Sequence, residues 1–350
     1  MRRSECSSWL VGNTLKFKSY GESKMCFKLR SIVCVTLVGM LIAIGGSTSF
    51  ASEMVLKFAG QSAADHPATK LMNEIAKEIG EKTDGRIEVK VYPASQLGDY
   101  QLVYEEQIRG TIDMSCISVP SQFDPRMELI YINGFAGDYE DLKTVFAQDG
   151  WMFNKMNEFN ERLGVKLLGF FVEGMIGTGT TKPAKEPLNP EVNKGVLIRV
   201  PGMDVYKLAA EAMGYNSVGI PYADVYQAIQ TGVANGVNGY PVASAYTTLG
   251  DVLKYWYMTN YSVEVLNFMI SGQTWKKIKP EDQKVIQEIL AKATIDSINN
   301  AKELDAHHME LMRKKGIEVF TYTKEELAPI MKACASTWPK LEKNMTKELM

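Results

Sequence analysis

The alternation of apolar and polar positions changes period several times along the chain. Met54 to Phe58 reads as a strand, and Gly60 to His66 is a polar loop. Pro67 then opens a helix whose apolar positions Leu71, Met72, Ile75, Ala76 and Ile79 share one face. Asp84-Gly85 marks a turn, and Ile87, Val89 and Val91 alternate with Glu88 and Lys90 as a strand does. The pattern predicts a helix over 101–109, a strand over 112–119, a helix over 142–163 and a strand over 165–171. Strands separated by helices imply parallel sheets with βαβ crossovers, so the fold class is α/β.

A proline-marked loop (Pro183, Pro187, Pro190) precedes a second set of elements: a strand over 195–200, helices over 203–213 and 223–231, and a strand over 263–270. This second set reads as a second α/β lobe. From Pro280 to Lys315 nothing breaks a helix, and Gly316 suits its stop. At 1.5 Å per residue that helix is roughly 50 Å long, enough to run behind both lobes. Two helices with a bend at Asn299-Asn300 satisfy the same pattern.

Upstream, residues 25–51 predict a cleaved secretory signal peptide. Lys28 and Arg30 are its positive flank, Ser31 to Gly45 its apolar run, and Ser49-Phe50-Ala51 a small-x-small cleavage site. A membrane anchor needs on the order of 20 apolar residues, and this run is shorter and ends in Gly45, Gly46, Ser47 and Thr48. The polar first 24 residues do not resemble an export flank, which makes Met25 the expected start.

Removal of residues 1–51 takes away seven Lys/Arg and two Asp/Glu, leaving 32 basic against 39 acidic side chains, a net charge of −7. That balance argues against nucleic acid or anionic lipid as a partner. An anionic ligand would then need a local cation. Cys116 and Cys334 are too few and too far apart for a disulfide framework, and Cys116 reads as a buried thiol.

No catalytic or metal-binding constellation is legible, so no cofactor is expected. His307-His308 are adjacent on the long helix rather than four apart, and read as solvated. The stretch Gly177-Thr178-Gly179-Thr180-Thr181-Lys182 lacks the spacing of a phosphate loop and reads as a strand that something approaches closely.

Arg199 stands out, a charge inside Val196-Leu197-Ile198-Arg199-Val200-Pro201. Such a charge is costly unless paired. A strand-end arginine reaching solvent or a structural acid explains it as well as a guanidinium gripping a ligand carboxylate with two parallel hydrogen bonds.

Four segments carry a family resemblance. They are Gly195 to Met203; Gly85 to Val89 with Tyr92-Pro93 and Gln96-Leu97-Gly98; Gly110 to Met114; and Ile220 to Val233. Together they resemble the TRAP transporter solute-binding proteins of the DctP family. The resemblance implies two α/β lobes joined by crossing strands, a cleft between them, and a long helix spanning both. It divides the chain into lobe 1 (52–176 plus 265–304) and lobe 2 (177–264 plus 305–350). Arg199 matches the family arginine that pairs with a ligand carboxylate.

The implied ligand is a small organic acid, with a sulfonate meeting Arg199 on the same terms. The implied partners are the two membrane subunits of a TRAP transporter, served by a monomeric periplasmic receptor. A binding protein for an ABC importer or a sensor kinase shares the two lobes. Where many members carry a ligand-contacting Asn, this chain has Gly239, so Asn238 or Tyr240 is expected to substitute. Ile176 stands where sialic-acid binders carry a second arginine, which argues against that ligand. Glu173 and Tyr100, with Gln61 and Ser118 at the carboxyl ends of strands, complete the expected site. Phe170, Phe171, Tyr240 and Tyr246 either leave room for an aromatic ligand or belong to the core.

Overall fold

The computed structural model describes residues 52–346 and 349. The expected signal peptide, and Met25 with it, lies outside them. In chain order the first half contains β1 (Met54–Gly60), α1 (Pro67–Lys82), β2 (Ile87–Tyr92), α2 (Tyr100–Arg109), β3 (Met114–Ile117), α3 (Leu142–Val145), α4 (Trp151–Arg162) and β4 (Val165–Thr180). Then come β5 (Leu197–Val200), α5 (Asp204–Ala212), β6 (Asn216–Gly219), α6 (Val225–Gln230), β7 (Gly236–Pro241), α7 (Val242–Leu249), β8 (Tyr255–Tyr257) and β9 (Val263–Ser271). The chain closes with α8 (Gly272–Trp275), α9 (Pro280–Lys314), β10 (Glu318–Phe320), α10 (Lys324–Ala335) and α11 (Trp338–Leu341).

The strands run in the order β2-β1-β3-β9-β4-β7-β5-β6, with β8 on β4 and β10 on β8. β1–β3 and β5–β7 pair in parallel, each set forming the sheet of one lobe. The expectation of parallel sheets fails at the centre. β9 lies antiparallel to β3 and β4, and β4 antiparallel to β7, because these long strands pass directly between the lobes without a helical crossover. β4 runs well past the 165–171 expected of it. The close approach expected along Gly177 to Thr180 is that of Trp256: a Cβ on Gly177 would lie 2.4 Å from its ring.

The helix expected over 142–163 is split into α3 and α4. Asp149 at φ +61° and the N-capping Gly150 turn the chain between them. α9 is one uninterrupted helix of 35 residues. Asn299 and Asn300 are simply exposed. Its first half packs Ile286, Ile289, Leu290 and Ala293 against the β1–α1 core, and its second half packs Ile298, Ala301 and Met312 into the other. His308 corrects the expectation of two solvated histidines. It is buried, with Nδ1 2.8 Å from the Leu304 carbonyl, and burial lowers its pKa. Cys116 and Cys334 are buried free thiols.

Candidate functional site

The strand ends of both lobes and the crossing strands β4 and β9 converge on a cavity of about 20 Å³. Arg199, Glu173, Tyr240, Gln61, Ser118 and Tyr100 line it, together with Glu264, Tyr206, Tyr222, Ser244 and others. Six of the seven residues expected from the sequence therefore meet in one place. Asn238 does not join them.

Arg199 sits mid-strand on β5, 1% exposed. Its Nε donates to the Ile220 carbonyl at 2.8 Å, and its Cζ lies 5.5 Å from the Tyr240 ring centroid. Tyr240 in turn stacks on Tyr222 at 5.5 Å and 14°. Among the described residues no carboxylate lies within ion-pair distance of this guanidinium. Arg86 and Arg126, by contrast, each grip an aspartate. Arg199 thus retains the fork of N–H donors that a planar carboxylate matches.

Asn238 and Tyr240 are two apart and should share a face of β7. They do not, because Gly239 is an extra residue. Tyr240 pairs with Gly177 and Asn238 with Thr178, so neighbouring positions on β4 set opposite directions. Gly239 takes φ +80°, and a Cβ there would sit 2.9 Å from the Pro201 ring. Tyr240 is delivered to the cavity. Asn238 donates from Nδ2 to Thr178 Oγ1 at 2.9 Å and accepts from the Tyr261 hydroxyl, both ends occupied away from it.

Gln61 and Ser118 hold each other. Gln61 Nε2 donates to Ser118 Oγ at 3.1 Å, and the Ser118 N–H donates to Gln61 Oε1 at 2.8 Å. Glu173 is the extra residue of a bulge in β4, between the pairs Val172–Val265 and Gly174–Glu264. Its Oε1 accepts from Ser244 Oγ at 2.7 Å and lies 3.1 Å from His66 Nε2. His66 Nδ1 accepts the Ala68 N–H that begins α1, which leaves a ring proton for Nε2. Glu173 therefore links β4, the start of α1 and α7.

Glu264 on β9 was missed by sequence reasoning, although Val263-Glu264-Val265-Leu266 embeds a charge among apolar residues just as Arg199 is embedded. It accepts from Ser118 Oγ at 3.1 Å and from the Tyr206 hydroxyl at 2.6 Å. Tyr206 is aimed by α5, whose first amides, Asp204 and Val205, donate to the buried Glu128 at 3.1 and 3.0 Å. Phe170 and Phe171 are core, Phe170 packing edge-on to Phe146 and Phe153, and Tyr246 packs against His308.

Burial, reinforced by the charge of Glu173, pushes the Glu264 carboxyl up to about 8, against the opposing pull of Tyr206, Ser118 and Arg199. The folded protein thus holds a proton that the unfolded chain has released above about pH 4.3. Glu264 costs stability progressively as pH rises toward 8, and the cost levels off above that. The apparent Tm of Glu264→Gln is expected to gain on that of the parent between pH 6 and pH 8.5. A gap that stays constant or narrows in a pH series of thermal melts would contradict this assignment.

A cavity between two α/β lobes, holding a buried guanidinium with free donors, defines a two-lobed solute-binding protein. Residues 58–344 match the family described as bacterial extracellular solute-binding protein, family 7 (DctP), and the chain belongs to that family. It is 27% identical over 278 residues to a solute-binding protein of Chromohalobacter salexigens, covering 75% of this chain and 78% of that one. It is 23% identical over 316 residues to the sialic acid-binding periplasmic protein SiaP of Vibrio cholerae, covering 89% and 95%. The crystal structure of a TRAP periplasmic solute binding protein from Sulfurospirillum deleyianum with bound succinate matches with a TM-score of 0.75. At 23% identity, covering 85% of this chain and 97% of that one, it shares the fold.

Proposed function

We propose that this protein is a periplasmic receptor that encloses a small organic acid and delivers it to the membrane subunits of a TRAP-type transporter. The observation that carries the reading is Arg199, buried at the lobe junction with one hydrogen bond and no carboxylate partner among the described residues. A ligand carboxylate supplies that partner. The succinate and sialic acid named for two of the relatives are both carboxylates, which supports the same chemistry. The buried, backbone-bonded Ile176 offers no second cation, so a ligand built like sialic acid fits poorly.

Release through a cleaved signal at residues 25–51 belongs to this proposal, as does the division into lobes at 52–176 plus 265–304 and 177–264 plus 305–350. A cavity of about 20 Å³ has room for roughly one water-sized group. A ligand of several carbons enters only if the walls separate, and rotation of the lobes about β4 and β9 is the motion the topology allows.

Isothermal titration calorimetry with a panel of carboxylates, each beside its neutral primary amide, tests the proposal. At least one acid should bind, and its amide should bind at least tenfold more weakly. Equal binding of every acid and its amide would remove the role assigned to Arg199.

A further inference from the structure

The charge balance of the cavity reaches beyond carboxylate capture. Among the described residues Arg199 is the one cation lining it, and Glu173 and Glu264 are two acids. Both acids are buried, 2% and 5% exposed, and neither forms an ion pair with Arg199. Glu173 Oε1 is engaged by Ser244 and His66, while Oε2 accepts no hydrogen bond from the described residues. Each Glu264 oxygen accepts one neutral hydroxyl. A ligand that is only a carboxylate would gather three carboxyl groups around one guanidinium and hold Glu264 in its protonated form, since like charges at close quarters oppose one another.

Tyrosine rings form much of the remaining wall, and the Tyr240 ring already carries the Arg199 cation over it at 5.5 Å. Aromatic walls with carboxylates are the usual surroundings of a bound ammonium group.

Resting on the receptor reading above, we infer that the ligand is a zwitterion: an amino acid or related amino-carboxylate, its carboxylate on Arg199 and its ammonium group between Glu264 and Glu173. The ammonium supplies the charge the two acids lack and N–H donors for Glu173 Oε2. The zwitterion itself adds no net charge to the cavity, and its ammonium offsets the charge that Glu264 takes on when it ionises.

Proton linkage separates this ligand class from hydroxy acids. The titratable and charged groups facing Glu264 are Glu173 and Arg199, with Tyr100, Tyr131, Tyr206, Tyr222, Tyr240 and Tyr261, whose phenols burial pushes up and keeps protonated. Near neutral pH Glu264 carries a proton. An arriving ammonium favours its ionised form, so binding releases that proton. An arriving carboxylate with hydroxyls favours the protonated form and releases none.

The test is calorimetry on the purified protein at pH 7, in phosphate and in Tris, with pairs that differ only in an amine or a hydroxyl. Suitable pairs are phenylalanine and 3-phenyllactate, leucine and 2-hydroxyisocaproate, and glutamate and 2-hydroxyglutarate. In at least one pair the amino member should bind at least tenfold tighter and release a substantial fraction of one proton per ligand. Glu264→Gln should reduce that preference at least tenfold and abolish the release; the proton count of the parent protein tests the idea even if this variant folds poorly. Tighter binding of the hydroxy member throughout, or amino binding without proton release, overturns the inference. If only hydroxy acids bind, and Arg199→Ala abolishes that binding, the inference falls while the receptor reading stands. If no acid of either kind binds, both fall.

Discussion

Arg199→Ala is expected to weaken binding of the tightest carboxylate by 100-fold or more. Two charge-assisted hydrogen bonds from a fixed fork contribute about 3–5 kcal/mol, and each 1.4 kcal/mol is tenfold in Kd. Arg199→Lys should recover little, since an ammonium cannot present two parallel donors and keep the hold on the Ile220 carbonyl that Nε provides. Folding should not follow binding downward. A buried guanidinium without an anion is a liability to the unliganded protein, so the apparent Tm of Arg199→Ala without ligand should be no lower than that of the parent. Binding that survives within tenfold would exclude Arg199 as the carboxylate anchor. A joint loss of Tm and affinity would make its role structural.

Arg199 was legible because a charge inside an apolar strand has few explanations. Glu264 carries the same signature in β9, yet its neighbours read as one more buried strand. Its partners, Ser118 and Tyr206, come from positions 146 and 58 residues away in the chain. The apolar faces of α9 and α1 were legible because their patterns run unbroken from Pro280 and Pro67, while the choice between one long helix and two bent at Asn299-Asn300 came only with the structure. The bulges were not. Alternation counts residues, and an inserted Gly239 or Glu173 reverses which face the next residue serves without altering composition. That single effect explains why Tyr240 and Asn238 could not be told apart, and why the strand over 165–171 could not be followed through into the one read from Gly177. The break between α3 and α4 depends on Asp149 in a left-handed conformation, for which its residue type gives only a weak signal.

The β4 bulge also sets the second large expectation. Gly174 holds φ +139°, and a Cβ there would lie 2.4 Å from Asp305 Oδ1 on α9. Asp305 Oδ2 accepts from the Met175 N–H at 2.9 Å and from the Tyr139 hydroxyl at 2.6 Å, tying the crossing strand to the long helix. Gly174→Ala therefore combines backbone strain of about 1–3 kcal/mol with displacement of a buried, doubly bonded carboxyl, about 1–3 kcal/mol more. The loss should lower the apparent Tm by roughly 10 °C. The two causes separate in an Asp305→Ala background, where the added methyl meets no carboxyl and only the strain remains. A double-mutant cycle should then show coupling of about 1–3 kcal/mol. Strict additivity would mean that α9 does not brace the bulge. Because Glu173 immediately precedes Gly174, Gly174→Ala should also weaken ligand binding at temperatures where the protein is still folded, as expected if the strand that joins the lobes also aims the acid that closes the site.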